Sequence, residues 1–491
     1  MHRNRKQIYW FVVILTVFFI VFCSISLVNH YLFRTYALDL GMFNQALRNV
    51  AQLQKPTFTL GIAGEEIPFL ATHFSPIIFL FTPLCFIFGN YTLLIVQIVA
   101  ILFGGAGIFL YSKHRTNSDN VTPIVSLIHF LSIWGIYSAL TYDFHSNVLG
   151  AMLVPWLFLF YERKQYKHAF IVVILAILTF ETMTIWFAFI IAALAISSYN
   201  RQKLVQVDIP LFAFCVLSAI IIIWVAMPLL QSTSTNMQFE RYRWLGETPM
   251  QVVLNLILSP INLFKVLFTN TTSDVAYDYI KLEFHIIVLV SGGILFLLKP
   301  RFLFMLIPIY MLKMIPNDYN FWGINNQYSI EFVPILSIAA ISTISEIKIN
   351  YRLPFAIALA IVTAAATAFT MENRVSKWYD GINTRFYNKQ HYQTEFDIKR
   401  INEAIRITDG SKAVSASSRL APHLNARKIY SYPFVKDAEY ILLLPTSNTW
   451  PLSADDFKKS IDTLSNSQHF TKVYSDNDLL IFKRNERKAI R

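Results

Sequence analysis

Charged side chains are scarce in this sequence: 15% of its 491 residues carry one, while 55% are hydrophobic. Water-soluble domains sit near a quarter charged, so the deficit excludes an ordinary soluble fold and points to lipid as solvent. Cysteine is rarer still. Cys23, Cys85 and Cys215 lie in apolar stretches without CxxC spacing, which argues against a disulfide framework or a zinc site and leaves buried thiols. The net charge is +12, but the basic residues do not cluster as a nucleic-acid groove requires, so nucleic acid is not an expected partner. No internal repeat is visible. No small-residue cleavage site follows the basic start "MHRNRKQ", so the first apolar run reads as an uncleaved helix.

What the chain does have is long apolar runs, many near the ~20 residues that cross a bilayer as a helix. The expected fold class is a polytopic α-helical membrane protein with eleven spans, over 9–28, 92–112, 121–140, 146–161, 168–181, 183–199, 209–230, 282–298, 302–316, 328–346 and 353–370. Arg3, Arg5 and Lys6 place the N-terminus in the cytoplasm by the positive-inside rule. Alternation then makes "KHR" (113–115), "ERKQYK" (162–167), "NRQK" (200–203), "KPR" (299–301) and "EIKINYR" (346–352) inside loops, each with at least two Lys or Arg. The parity requires that "SPIIFLFTPLCFIFG" (75–89), short and carrying Pro76 and Pro83, does not cross and is re-entrant or interfacial.

The expected domains are a membrane domain over 1–371, with its first outer loop at 29–91, and an extracytoplasmic α/β domain over 372–491. In the second, "EFDIKRINEAIRI" and "SADDFKKSIDTL" read as helices and "KAVSAS", "AEYILLL" and "DLLIFKR" as strands. Its role is either a packing lid or direct substrate binding.

With this topology the unusual polar residues fall on the outer side. Asp39, Glu65, Glu66 and His73 lie in the first outer loop, and Asp143 and His145 ("TYDFHSN") at the end of the third span. Glu181 ("LTFETM") ends the fifth, while Arg241 and Arg243 ("FERYRWLGETP"), Asp318 and Gln327 lie in later outer segments. Ionisable groups at the edge of hydrocarbon are costly and tend to mark sites. Each has a plain alternative. Asp39 reads as the N-cap of an interfacial helix with Leu40, Phe43, Leu47 and Val50 on one face and Asn44, Arg48 and Asn49 away from it. His73 can bond backbone where a helix starts, Asp143 can pair with His145 in a turn, and the two arginines and two glutamates can be solvated surface charges. Glu181 interrupts an apolar run from Ile171 to Ile196 and needs a partner.

The segments "LDLGMFNQAL", "THFSPIIFLFTPL", "YDFHSN", "FERYRWLGETP" and "VSASSRLAPHLNARKIYSYP", in this order, resemble an uncharacterised family of prokaryotic membrane proteins similar to the GT-C glycosyltransferases. The resemblance spans nearly the whole chain. It implies a cytoplasmic N-terminus in the cytoplasmic membrane, a first span, and an outer loop whose early acidic residue acts in catalysis. It also implies a polyprenyl-phosphate-linked sugar donor and a cell-envelope acceptor. Asp39 stands where that acidic residue would stand, in Asp-Leu-Gly rather than a paired acidic motif; no Trp-Trp-Asp signature follows, so oligosaccharyltransferase chemistry is not implied. In this reading Asp39 is the general base of an inverting displacement, and Arg241 with Arg243 meets the donor phosphate. His73 and His145 contact phosphate or acceptor, and Asp143, Glu181 and Gln327 orient groups or bind sugar hydroxyls. The ligand types of Asp39, Asp143, Glu181 and a histidine also suit a divalent cation, though no spacing demands one. A lipid transporter and a non-catalytic assembly protein are the competing readings.

Overall fold

A computed structural model of the chain describes residues 2–61, 63–116, 120–197, 200–231, 239–376, 380–408, 410–446 and 449–485. The end of the span expected over 183–199 therefore lies outside the described residues. The polypeptide gathers into two compact units, one of residues 1–25, 97–228 and 233–385, the other of 26–96, 229–232 and 386–491. This partition differs from the expected cut at residue 371, because the first outer loop shares its core with the C-terminal segment.

Among its described residues the first unit has helices and no strands. Among the described residues of the whole chain, four helices are long and apolar enough to cross a membrane: Arg5–Tyr31, Pro76–Thr116, Arg201–Leu230 and Ile349–Glu372. The count rises to six if two bent pairs each make one span, Thr122–Leu131 with Trp134–Thr141 and Met250–Leu258 with Pro260–Phe268. Several other expected spans are present as shorter apolar helices, Ser146–Glu162, Tyr166–Ile177, Met183–Ser197 and Phe332–Glu346. Small residues permit the closest packing in this unit. A Cβ on Gly135 would sit 2.8 Å from the carbonyl oxygen of Ser329, and one on Gly150 2.4 Å from Thr179 Oγ1.

The second unit joins the first outer loop to a sheet. Two residue pairs form a short antiparallel ladder, β1 (Thr57–Phe58) with β2 (Ile67–Pro68). The five-stranded sheet contains β3 (Ala413–Ala416), β4 (Lys428–Ser431), β5 (Tyr440–Leu443), β6 (Phe470–Ser475) and β7 (Leu480–Arg484) in the order β4-β3-β5-β7-β6. The first three strands pair in parallel and the last two antiparallel. Helix Ala454–Ser465 begins as expected on Ser453, whose side chain accepts from the Asp456 N–H, and Ile398–Ile405 begins on Asp397 in the same way. All of β3 and β5 is buried, the pattern expected of central strands covered on both faces.

Segment 76–88 forms a short helical stretch that Gly89, at φ +54°, separates from Thr92–Thr116. Leu80, Phe86 and Ile87 stand exposed along it, which suits an apolar face laid on lipid. The three cysteines are free thiols, Cys215 buried and the others half-buried.

Candidate functional site

In the second unit Tyr36 is extended, and the chain then winds one π-helical turn, Ala37–Gly41, into helix Met42–Ala51. Asp39 is the third residue of that turn. It is not the N-cap: Tyr36 occupies that position, and Ser418 Oγ accepts the Ala37 N–H at 3.2 Å. Ser418 thus meets an orphan donor of the helix start that a capping carboxylate would otherwise take. π turns insert an extra residue at a cost in hydrogen-bond geometry, and they concentrate at functional sites. Here the turn is packed tightly, since a Cβ on Gly41 would lie 3.0 Å from Leu60 Cδ1.

The helix that follows is not a half-solvated interfacial one. Asn44 and Gln45 are buried beside Phe43 and Leu47. Asn44 donates to the Asn90 carbonyl, Gln45 exchanges hydrogen bonds with Thr59, and Arg48 donates to the Leu424 carbonyl. Burial pulls the Arg48 guanidinium down to about 10. The polar face is spent on the unit's own interior. His73 ends the short helix Phe69–Thr72, and its ring stacks at 6.2 Å on Phe43, four residues after Asp39. The fold therefore brings His73 to the helix that follows the Asp39 turn. Glu66 is a solvated loop residue; the Lys428 ammonium 2.8 Å away holds its carboxyl below the usual range.

Sequence reasoning missed Arg419. Its guanidinium lies over the Tyr36 ring at 5.8 Å, and its buried Nε has no hydrogen-bond partner among the described residues. The signal was its place within "SSRLAPHL", a segment set aside as a motif of resemblance only.

In the first unit Asp143 and His145 form a turn clamped by Gln97. Gln97 Nε2 donates to the Asp143 carbonyl at 3.0 Å, and its Oε1 accepts from the His145 N–H at 2.9 Å. Asp143 is buried with φ +52°, a conformation that costs energy outside glycine and is held here by the clamp. The His145 ring stacks on Tyr142 at 5.5 Å. Two residues on, Asn147 Nδ2 donates to Glu331 at 2.8 Å, which ties this turn to the segment holding the buried Gln327. Glu181 does not interrupt a continuous helix. It sits half-buried in the turn between Tyr166–Ile177 and Met183–Ser197, with its carbonyl accepting from Thr184 Oγ1 at 2.6 Å.

Arg241 meets Asp318 at 3.3 Å and lies 4.7 Å over the Phe321 ring. Arg243 points elsewhere, into an exposed cluster with Glu240 at 2.9 Å and Glu247 at 3.8 Å. Burial pushes the intervening Tyr242 hydroxyl up to about 12. Among the described residues no three His, Cys, Asp or Glu are grouped to hold a metal ion.

Residues 29–481 match the family described as "Predicted membrane protein (DUF2079)". No curated protein matches by sequence. Among solved structures, ArnT from Cupriavidus metallidurans bound to undecaprenyl phosphate aligns at 10% identity with TM-score 0.54, over 97% of this chain and 98% of that one. The arabinofuranosyltransferase AftD from mycobacteria aligns at 13% identity and TM-score 0.47, over 98% of this chain; the chain spans only 40% of its length. The Archaeoglobus fulgidus oligosaccharyltransferase aligns at 11% identity and TM-score 0.44, over 89% of this chain and 69% of that one. The likeness to ArnT is a likeness of fold.

Proposed function

We propose that this chain, which belongs to the DUF2079 family of predicted membrane proteins, is a membrane glycosyltransferase that takes a sugar from a polyprenyl-phosphate donor. The acceptor lies outside the cytoplasm, in the cell envelope. The N-terminus is cytoplasmic, the chain crosses the membrane eleven times with its shorter helices included, and the five-stranded sheet stands on the outer side. Two features support the reading. The fold resembles that of a protein described with bound undecaprenyl phosphate, and Asp39 sits on a rigid π turn just after the first long helix.

Asp39 accepts the proton of the attacking hydroxyl as the new bond forms at the sugar C1. The C1–oxygen bond to phosphate breaks on the opposite face, which inverts the anomeric centre. The departing phosphate needs donors, and guanidinium groups suit it. Arg419 fills that role better than Arg243, whose charge Glu240 and Glu247 already meet. Arg241, His73, Asp143, His145, Glu181 and Gln327 remain candidates for binding donor or acceptor. The placement of Asp39 carries the proposal.

The test is Asp39→Asn. Transfer should fall by ~10²–10⁴-fold, the usual worth of a general base, while the unfolding midpoint holds. Full transfer by a folded Asp39→Asn protein would remove the assignment. Mass spectrometry of lipids co-purifying with the wild type reads the donor directly.

A further inference from the structure

The five basic loops 113–115, 162–167, 200–203, 299–301 and 346–352, expected on one membrane face by alternation of the spans, all contribute to one cavity of about 1060 Å³ in the first unit. Positive loops usually spread over a membrane surface, where long side chains snorkel into headgroups. Convergence on a concavity of ligand size is a different arrangement. His114, Arg115, Lys164, Lys203, Lys299 and Arg301 line it, against two carboxylates, Glu162 and Glu346. Setting histidine aside, five positive charges face two negative ones; Asp208, 3.6 Å behind Lys203, reduces the excess from three to two.

The pairing is incomplete in an informative way. Arg115 lies 3.6 Å from Glu162, and Lys299 bonds Glu346. Among the described residues, neither Arg301 nor Lys164 has a carboxylate partner. Arg115 Nη2 donates to Ser345 Oγ and Arg301 Nη2 to Ser342 Oγ, each at 3.0 Å. Those two serines are three residues apart on helix Phe332–Glu346, so the two guanidinium groups are moored to one helix face. The Nε of each is buried and, among the described residues, makes no hydrogen bond. Two planar forks held in place beside lysines match the tetrahedral oxygens of phosphate.

We propose that this cavity binds a phosphate-bearing anion at the membrane surface, either the headgroup of an anionic phospholipid or a soluble phosphate compound. Basic pockets between membrane helices capture such headgroups by the same chemistry. The site is separate from the residues assigned to sugar transfer and does not depend on that assignment.

Full-length protein, delipidated in a neutral detergent, is titrated with phosphatidylglycerol, phosphatidylcholine and inorganic pyrophosphate while its unfolding midpoint and native mass spectrum are followed. Saturable stabilisation by phosphatidylglycerol and not by phosphatidylcholine identifies a lipid headgroup. Saturable stabilisation by pyrophosphate alone identifies a soluble anion. In either case Arg301→Gln should weaken binding about tenfold, as expected for losing one charge-assisted contact, and Arg301→Lys should recover part of it. Lys164→Gln, at an exposed position, should weaken binding severalfold. The proposal fails if neither anion binds saturably, or if folded Arg301→Gln and Lys164→Gln both bind like the wild type.

Discussion

Gln97 holds two backbone groups of one turn with one side-chain amide, which makes it a sensitive single residue. It is fully buried, and Gln97→Leu would leave the Asp143 carbonyl and the His145 N–H without these partners. A buried group left unsatisfied costs ~1–3 kcal/mol. The variant should unfold several degrees lower by scanning calorimetry, and its Asp143 turn, with φ +52°, should lose its definition. His423 offers a pH test in the other unit. Burial, and then the neighbouring His30, hold it well below the ordinary imidazole range. Unfolded, it titrates near ~6.5. Below that pH the unfolded chain binds a proton the folded one refuses, so stability falls as pH drops, by at most ~1.4 kcal/mol per pH unit. Above ~6.5 the effect is absent. His423 stacks on His30 and tilts against Phe33, both at 4.1 Å, so His423→Phe fits the space and cannot titrate. Midpoints measured from pH 7.5 down to 5.5 should fall less in the variant than in the wild type; parallel curves would show that His423 contributes nothing. Around these two residues, only the Asp143 turn was legible beforehand, through "YDFHSN". A glutamine inside the apolar run 92–112 and a histidine in a loop give no hint of their partners, which lie far away in sequence.

At the scale of elements, long apolar runs were readable and their interruptions were not. The run expected as one span over 121–140 is two helices bent by 40°. The break leaves carbonyls outside the helical ladder, and Thr367 Oγ1 donates to one of them, Ser132, at 2.7 Å. A neighbouring helix thus satisfies one of the groups that the break frees. Beyond it, Gly135 lets Trp134–Thr141 lie against the start of Phe332–Glu346. Its Cβ position is 2.8 Å from the Ser329 carbonyl and 2.9 Å from Val333, so Gly135→Ala must push backbone apart. Overpacking of this kind costs ~1–3 kcal/mol. Reduced yield of monodisperse protein in detergent and a lower midpoint are expected, and a variant as stable as the wild type would mean that these helices can separate without cost. The helices Pro249–Leu258 and Pro260–Phe268 went unread because Ser259 and Pro260 cut the apolar stretch into pieces too short for a span. Strand β6 went unread for the opposite reason. It is mostly exposed at the sheet edge, so its sequence lacks the buried pattern that marked β3, β5 and β7.

At the scale of the molecule, composition marks where apolar sequence gives way to mixed sequence, near residue 372, but not what completes the C-terminal segment. Folding together is decided by contacts across hundreds of residues. Arg34 donates to the carbonyls of His391 and Gln393 at 2.9 and 2.6 Å. Thr59 Oγ1 donates to the Ile429 carbonyl at 2.7 Å, and Ser431 Oγ to that of Leu60 at 3.1 Å. Arg48 reaches the Leu424 carbonyl. The Thr59 bond meets a carbonyl of the sheet's parallel edge, strand β4, and the Arg48 bond meets one of the loop that caps the Asp39 turn. Without residues 26–96 the Ile429 carbonyl on that edge would lose its donor, and an edge with free backbone groups is where a strand pairs with other chains. A fragment of 386–491 should therefore aggregate or be digested quickly by trypsin, whereas in the intact chain the same region resists. Adding residues 26–96 through a flexible linker should restore a cooperative transition. Stable, soluble folding of 386–491 alone would show that the sheet is self-sufficient and that the first outer loop only leans on it. Arg34→Met tests the same point within the whole protein. It keeps much of the stem's bulk but leaves two backbone carbonyls without their donor, so trypsin should cleave the 386–396 segment sooner than in the wild type.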